Sequence, residues 1–231
     1  LTLSDIQNVF QWFNQSIVLD FGGYNGEKII SQIAMRGLKN VPEVQENLVH
    51  FLKQVDIDVE GIIFKEKNTA SNKAENFFNE EYDVFTLHKN TDTGELEELR
   101  IEEESSGTRK FIDIFSFVFT AIESGSLLLI DELSAKLHPL LTRYILVLFS
   151  SKKTNPKNAQ LIFTTHDTTF LTKELFRRDQ ICFVEKDEEG MSELIYLQQF
   201  KEEDSDKENN LNKEYLSGRY GAIPNFKKHF V

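Results

Sequence analysis

Cysteine occurs once in these 231 residues, at Cys182. A single thiol cannot build a disulfide framework, so a small stapled secreted fold is excluded. Within Ile181-Cys182-Phe183-Val184 it reads as a buried strand thiol. Long apolar runs are also missing. A membrane helix needs about 20 uncharged residues, and the best stretch, Phe111 to Ile122, is interrupted by Asp113. The chain opens Leu1-Thr2-Leu3-Ser4-Asp5, without the basic n-region of a signal peptide and without Met, so an upstream segment is expected. Positive charge is in deficit: 26 Lys and Arg stand against 38 Asp and Glu, a formal net charge of −12. Such a chain repels polyanions at long range, which argues against broad nucleic-acid binding. Together these absences imply a cytoplasmic protein.

What is present is ample for a core. Apolar residues make up 40% of the chain, 20 of them Phe, and a chain of this length buries about 70% of its unfolded surface. Spacing predicts an amphipathic helix over residues 1–17, with Ile6, Val9, Phe10 and Phe13 on its apolar side and Trp12 packed with Phe10 and Phe13. The Gly22-Gly23-Tyr24-Asn25-Gly26 turn leads into a helix over 27–36, and Pro42 opens a third. We read residues 1–58 as a helical insertion or lid. Alternating patterns at 59–65, 82–88 and 96–101 predict an antiparallel meander within a 59–102 segment. Beyond it helix and strand alternate, as a parallel α/β layer does: a helix over 111–122, a strand over 126–130, a helix over 138–149 opened by Pro139, and a buried strand over 160–165. Two more strands, 181–185 and 193–197, complete a 103–200 core. Continuous apolar strands imply a sheet covered on both faces. Residues 201–231 read as a charged loop and a tail.

Three stretches could carry chemistry. Leu127-Leu128-Leu129-Ile130-Asp131-Glu132 delivers two carboxylates to the C-terminal end of a buried strand, where α/β folds bind ligands. Asp131 suits Mg²⁺, a hard ion that prefers oxygen donors, and Glu132 suits polarising a water that attacks a γ-phosphate. Thr164-Thr165-His166-Asp167 ends the next strand, so His166 could meet that pair at one sheet edge and bond the γ-phosphate. Glu103-Glu104-Ser105-Ser106-Gly107-Thr108-Arg109-Lys110 precedes the long helix; the hydroxyls and backbone N–H groups there could hold an anion. The plainer reading is a Ser N-cap with Arg109 and Lys110 solvated.

In this order the three stretches resemble the motifs of ABC-type ATPases. Ser105-Ser106-Gly107-Thr108 is similar to the signature Ser-Gly-Gly-Gln, Asp131 and Glu132 to Walker B and its catalytic glutamate, and His166 to the switch histidine. Ala135-Lys136-Leu137-His138 stands at the D-loop, with His138 in place of the usual Asp. Leu137-His138-Pro139-Leu140-Leu141, Arg178-Asp179-Gln180-Ile181 and Tyr215-Leu216-Ser217-Gly218-Arg219-Tyr220-Gly221-Ala222-Ile223-Pro224 resemble the bacterial AAA-type ATP/GTP phosphatases, relatives of SMC-like and abortive-infection ATPases, many tied to anti-phage defence. The resemblance is close from residue 103 onward and loose before it.

It implies an α/β fold: the C-terminal portion of a P-loop NTPase of the ABC-ATPase type, with a mostly parallel sheet flanked by helices, a helical insertion and an antiparallel strand segment. It also implies ATP with Mg²⁺ at a dimer interface, where one subunit's signature loop meets its partner's phosphates, and a partner effector such as a nuclease or toxin. The phosphate loop is absent: no GxxxxGK[ST] occurs, and Gly22 to Lys28 lacks the closing Gly-Lys-Ser/Thr. We therefore expect a phosphate-binding portion removed or supplied separately, and no activity from this chain alone. Two other readings stand beside this one: an assembly module with a dead site, and a metallohydrolase ligating through Asp131, Glu132, His166 and Asp167. Asp204-Ser205-Asp206 has the spacing of a Toprim metal pair, but it lies in a charged loop with no apolar strand before it.

Overall fold

The computed structural model describes residues 2–21, 25–55, 57–67, 82–187, 189–201 and 211–223. The Gly22 to Tyr24 part of the glycine turn, most of the charged 201–214 run with Asp204-Ser205-Asp206, and Pro224 lie outside them. The chain forms two compact units, residues 1–166 and 167–231.

The first unit opens with helix α1 (Leu3–Asn14), started by a capping box between Thr2 and Asp5 that satisfies two N-terminal donors reciprocally. None of its residues is buried. Phe10 and Phe13 are 65% and 61% exposed, and Trp12 is only partly covered, so the expected aromatic core packing here is corrected. The helix also stops before Ile17, because a strand starts there.

That strand, β1 (Ile17–Leu19), runs parallel to β5 (Leu127–Ile130), and β5 runs parallel to β6 (Gln160–Phe163). Side chains alternate across the three strands. Leu19, Leu128 and Ile130 are 2%, 0% and 2% exposed. On the other face Val18, Leu129 and Ile162 stand in register, and Val18 and Ile162 are 68% and 56% exposed. The sheet is thus covered on one face, and β6 is not the buried strand its apolar sequence suggested.

The covered face rests on helices. α2 (Gly26–Asn40) and α3 (Pro42–Gln54) pack with α4 (Ser106–Ser124) through Ala34, Leu38, Leu48, Leu52, Phe111 and Ile114. Burying each large apolar side chain is worth about 1.5–3 kcal/mol. Gly37 lets α2 and α4 approach: a Cβ there would lie 2.8 Å from Ser116 Oγ. Pro42 sits in the first turn of α3, where its missing N–H costs nothing. Phe51 stacks on Tyr144 of α5 (Pro139–Ser150), with centroids 3.7 Å apart. The expected meander is present: β2 (Gly61–Glu66), β3 (Tyr82–Lys89) and β4 (Leu96–Arg100) pair antiparallel in order.

In the second unit β7 (Cys182–Lys186) and β8 (Ser192–Tyr196) form a hairpin. Phe183 turns inward and stacks on Tyr215 and Tyr220 at 5.1 and 5.4 Å. Cys182 faces out and is exposed, correcting the buried-thiol reading by one step of strand alternation. Arg178 donates to the Leu197 and Phe200 carbonyls, and Tyr215, in α6 (Leu211–Leu216), donates to the Ala222 carbonyl. The Arg178 and Tyr215 stretches thus brace this small core. Among the described residues no helix is long and apolar enough to cross a membrane.

Candidate functional site

Because β1, β5 and β6 are parallel, their C-terminal ends share one edge, and the chain leaves β5 there through Asp131 and Glu132. Thr164, just past β6, joins the two loops. Its hydroxyl donates to Asp131 Oδ1 at 2.5 Å and accepts from the Glu132 N–H at 2.8 Å. The Thr164 carbonyl accepts from the Leu133 N–H at 3.1 Å, and Ser134 Oγ lies 2.6 Å from Thr165 Oγ1. His166 follows directly, its Nε2 3.5 Å from Glu132 Oε1. The structure therefore brings Asp131, Glu132 and His166 together. They are open to solvent: the His166 and Glu132 side chains are 92% and 51% exposed.

Glu132 has φ of +50°, a left-handed backbone uncommon outside glycine that costs of order 1–3 kcal/mol. Two bonds hold it there: the one from its N–H to Thr164, and one to its carbonyl from Lys110 Nζ at 2.8 Å. Lys110 is buried, 6% exposed, which corrects the expectation that it is solvated; Arg109 beside it is exposed. The Lys110 ammonium also lies 4.5 Å from the Phe21 ring centroid. Burial lowers the Lys110 pKa, and Lys136 pushes the same way, against Glu132, Glu27 and Asp131.

Ser105 caps α4: its hydroxyl accepts from the Thr108 N–H at 3.0 Å and lies 2.8 Å from Thr108 Oγ1. Ser106 is exposed and Thr108 is buried. Gly107 is required by packing, since a Cβ there would sit 2.9 Å from the Lys136 carbonyl. Residues 105–108 and the turn over 135–138 are therefore pressed together. In that turn Lys136 has φ of +65° and pairs with Glu27, Leu137 is buried, and His138 caps α5 by accepting from the Leu140 N–H. Just before the cap, Glu104 accepts from Thr86 Oγ1 at 2.6 Å and lies 2.7 Å from His88 Nε2, tying the start of α4 to β3.

Sequence reasoning placed Lys110, Thr164 and Glu104 within the candidate stretches but missed the part each plays, which depends on tertiary contacts with the Glu132 carbonyl, Asp131 and β3. Asp167, offered above as a metal ligand, caps the next turn by accepting from Thr169. Among the described residues no three His, Cys, Asp or Glu side chains converge to hold a metal ion.

The family described as "AAA domain, putative AbiEii toxin, Type IV TA system" matches residues 6–172, which span α1 through this edge. The chain belongs to that family. As an AAA domain it has the mixed α/β build, parallel sheet and flanking helices of a P-loop NTPase-like fold. No curated protein matches it. AAA ATPases bind ATP with Mg²⁺, and Asp131 is compatible with that ion. Mg²⁺ is usually held by one or two carboxylates completed by phosphate and water oxygens, so the exposed Asp131 carboxylate fits.

Proposed function

We propose that this AAA domain is the hydrolytic part of an ABC-type ATPase that acts as a nucleotide-dependent dimerisation switch. The carrying observation is that, at one edge of a parallel sheet, Thr164 bonds both Asp131 and the Glu132 amide while His166 lies 3.5 Å from the Glu132 carboxylate. Glu132 polarises the attacking water and His166 bonds the γ-phosphate, positions that 3.5 Å between their side chains allows. Asp131 holds Mg²⁺, which supplies charge neutralisation to the phosphates. Ser105, Ser106, Gly107 and Thr108 contact the nucleotide of the opposite subunit, and residues 135–138 line the seam. The exposure of Glu132 and His166 favours a site finished by a second surface, since phosphoryl transfer depends on excluding bulk water. No GxxxxGK[ST] occurs in these 231 residues, so this function calls for a phosphate cradle of another origin.

The family's description names a toxin and a type IV toxin–antitoxin system. We extend it to this chain as a switch that governs a partner effector, a toxin or nuclease, in phage defence.

The test is ATP turnover with Mg²⁺ once a GxxxxGK[ST] segment is restored, in cis or from an encoded neighbour. Glu132→Gln should lower kcat by roughly 100-fold or more and accumulate an ATP-bound dimer. Turnover unchanged by that substitution, or absent from the restored protein, would end this reading in favour of an assembly module.

A further inference from the structure

Lys110 is a charged residue buried in an apolar helix, and a buried ammonium persists only when a specific partner repays its desolvation. Its acceptor is a main-chain carbonyl, that of Glu132, at 2.8 Å. That carbonyl belongs to the residue whose backbone is left-handed, with φ of +50°. The lysine departs from the first turns of α4, two residues after Thr108. Beside it Gly107 abuts the turn over 135–138, where an added Cβ would meet the Lys136 carbonyl at 2.9 Å. The Phe21 ring, in the loop after β1, lies under the ammonium at 4.5 Å. One side chain thus touches the loops after β1 and β5 from the helix that begins at residues 105–108.

We propose that Lys110 is a positioning residue. Its bond to the Glu132 carbonyl holds that backbone left-handed and thereby fixes where the Glu132 carboxylate points relative to His166. The inference rests on the reading that Glu132 polarises the attacking water. Lys110 acts through the Glu132 backbone, so its loss should alter kcat and leave ATP binding alone. Holding a catalytic group within about 0.5 Å of its working position is worth roughly 10–100-fold in rate.

The experiment is a double-substitution cycle on the protein with its phosphate-binding segment present, comparing wild type, Lys110→Met, Glu132→Gln and both together. Lys110→Met should lower kcat by roughly 10–100-fold with KM for ATP unchanged within about twofold. In the Glu132→Gln background it should cost nothing further, because a residue acting through Glu132 has nothing left to position. Losses that multiply across the cycle would overturn the proposal, as would a Lys110→Met protein of wild-type kcat when Glu132→Gln is inactive. Should Lys110→Met melt below the assay temperature, Lys110→Leu, which keeps the packing volume, enters the cycle under the same two outcomes. A Glu132→Gln protein that turns over normally condemns the underlying reading instead, a result distinct from either failure of Lys110.

Discussion

Thr164 serves two carboxylate-bearing residues with one oxygen, donating to Asp131 and accepting from the Glu132 amide. Thr164→Val keeps the shape and deletes both bonds, which lie exposed to water, at a cost of about 0.5–1.5 kcal/mol. Support of this kind around catalytic ligands is worth roughly 10–100-fold when lost, so kcat of the restored ATPase should fall by that factor while Thr164→Ser retains most of it. A Thr164→Val enzyme with unchanged kcat and an unchanged urea midpoint would show the bridge to be incidental. Gly107 offers a second residue-scale prediction. Its missing Cβ is what admits the Lys136 carbonyl, so Gly107→Ala should lower stability by about 1–3 kcal/mol through overpacking, measured by urea unfolding of this chain. These residues also mark how far sequence reading reached. Asp131, Glu132 and His166 were legible because each ends an apolar run, and two successive strands of a parallel sheet must end at the same edge. Lys110 was not, because charge alone argues for solvent and only the tertiary position of the Glu132 carbonyl makes burial tolerable.

The α4 helix buries Asp113 as well as its apolar face, and this carries an element-scale prediction. Asp113 is 7% exposed, and among the described residues its Oδ1 finds no hydrogen-bond partner. Burial pushes its pKa up to about 7, opposed by a hydrogen bond from Ser31 of α2 and by the charge of Arg109, with Glu27 adding to the rise. A carboxyl whose folded pKa exceeds its unfolded value binds more protons folded than unfolded between those two values. Stability therefore falls as pH rises from about 4 to about 7 and stays low above that. The full effect is on the order of 4 kcal/mol. Asp113→Asn removes the titration and should be the more stable protein at pH 8, with little pH dependence from this site. Urea midpoints at pH 5 and pH 8 decide it, and a wild-type protein equally stable at both would refute the buried charge. At the same scale, α3, α4 and α5 and the meander followed from periodicity and from Pro42 and Pro139, whereas β1 did not. Three residues are too few to show a period, and Ile17-Val18-Leu19 becomes a strand only because β5 offers it a partner. The burial of β6 was likewise misjudged, since an apolar sequence records what a face can bury and not what covers it.

Across the whole molecule the decisive feature is that the sequence carries no GxxxxGK[ST]. In the function proposed above Asp131, Glu132 and His166 act on a γ-phosphate, but they offer little to bind one, for two of the three are acids and the formal net charge is −12. ATP affinity in this fold class comes from backbone N–H groups and a lysine in a Gly-rich loop at a helix N-terminus, which no GxxxxGK[ST] here supplies. Ligand binding stabilises a native state by about 2.7 kcal/mol when its concentration is about 100 times Kd. For a protein of this size that is a rise in Tm of roughly 5–10 °C. Thermal melting with about 1 mM ATP and Mg²⁺ should therefore leave this chain within roughly 1 °C of its ligand-free value. The same chain with a GxxxxGK[ST] segment restored should gain the several degrees expected of a Kd near 10 µM. A rise of that size in the chain alone would mean that its own residues cradle the phosphates. The glycine-rich stretch from Gly22 to Lys28 would then be the first place to substitute.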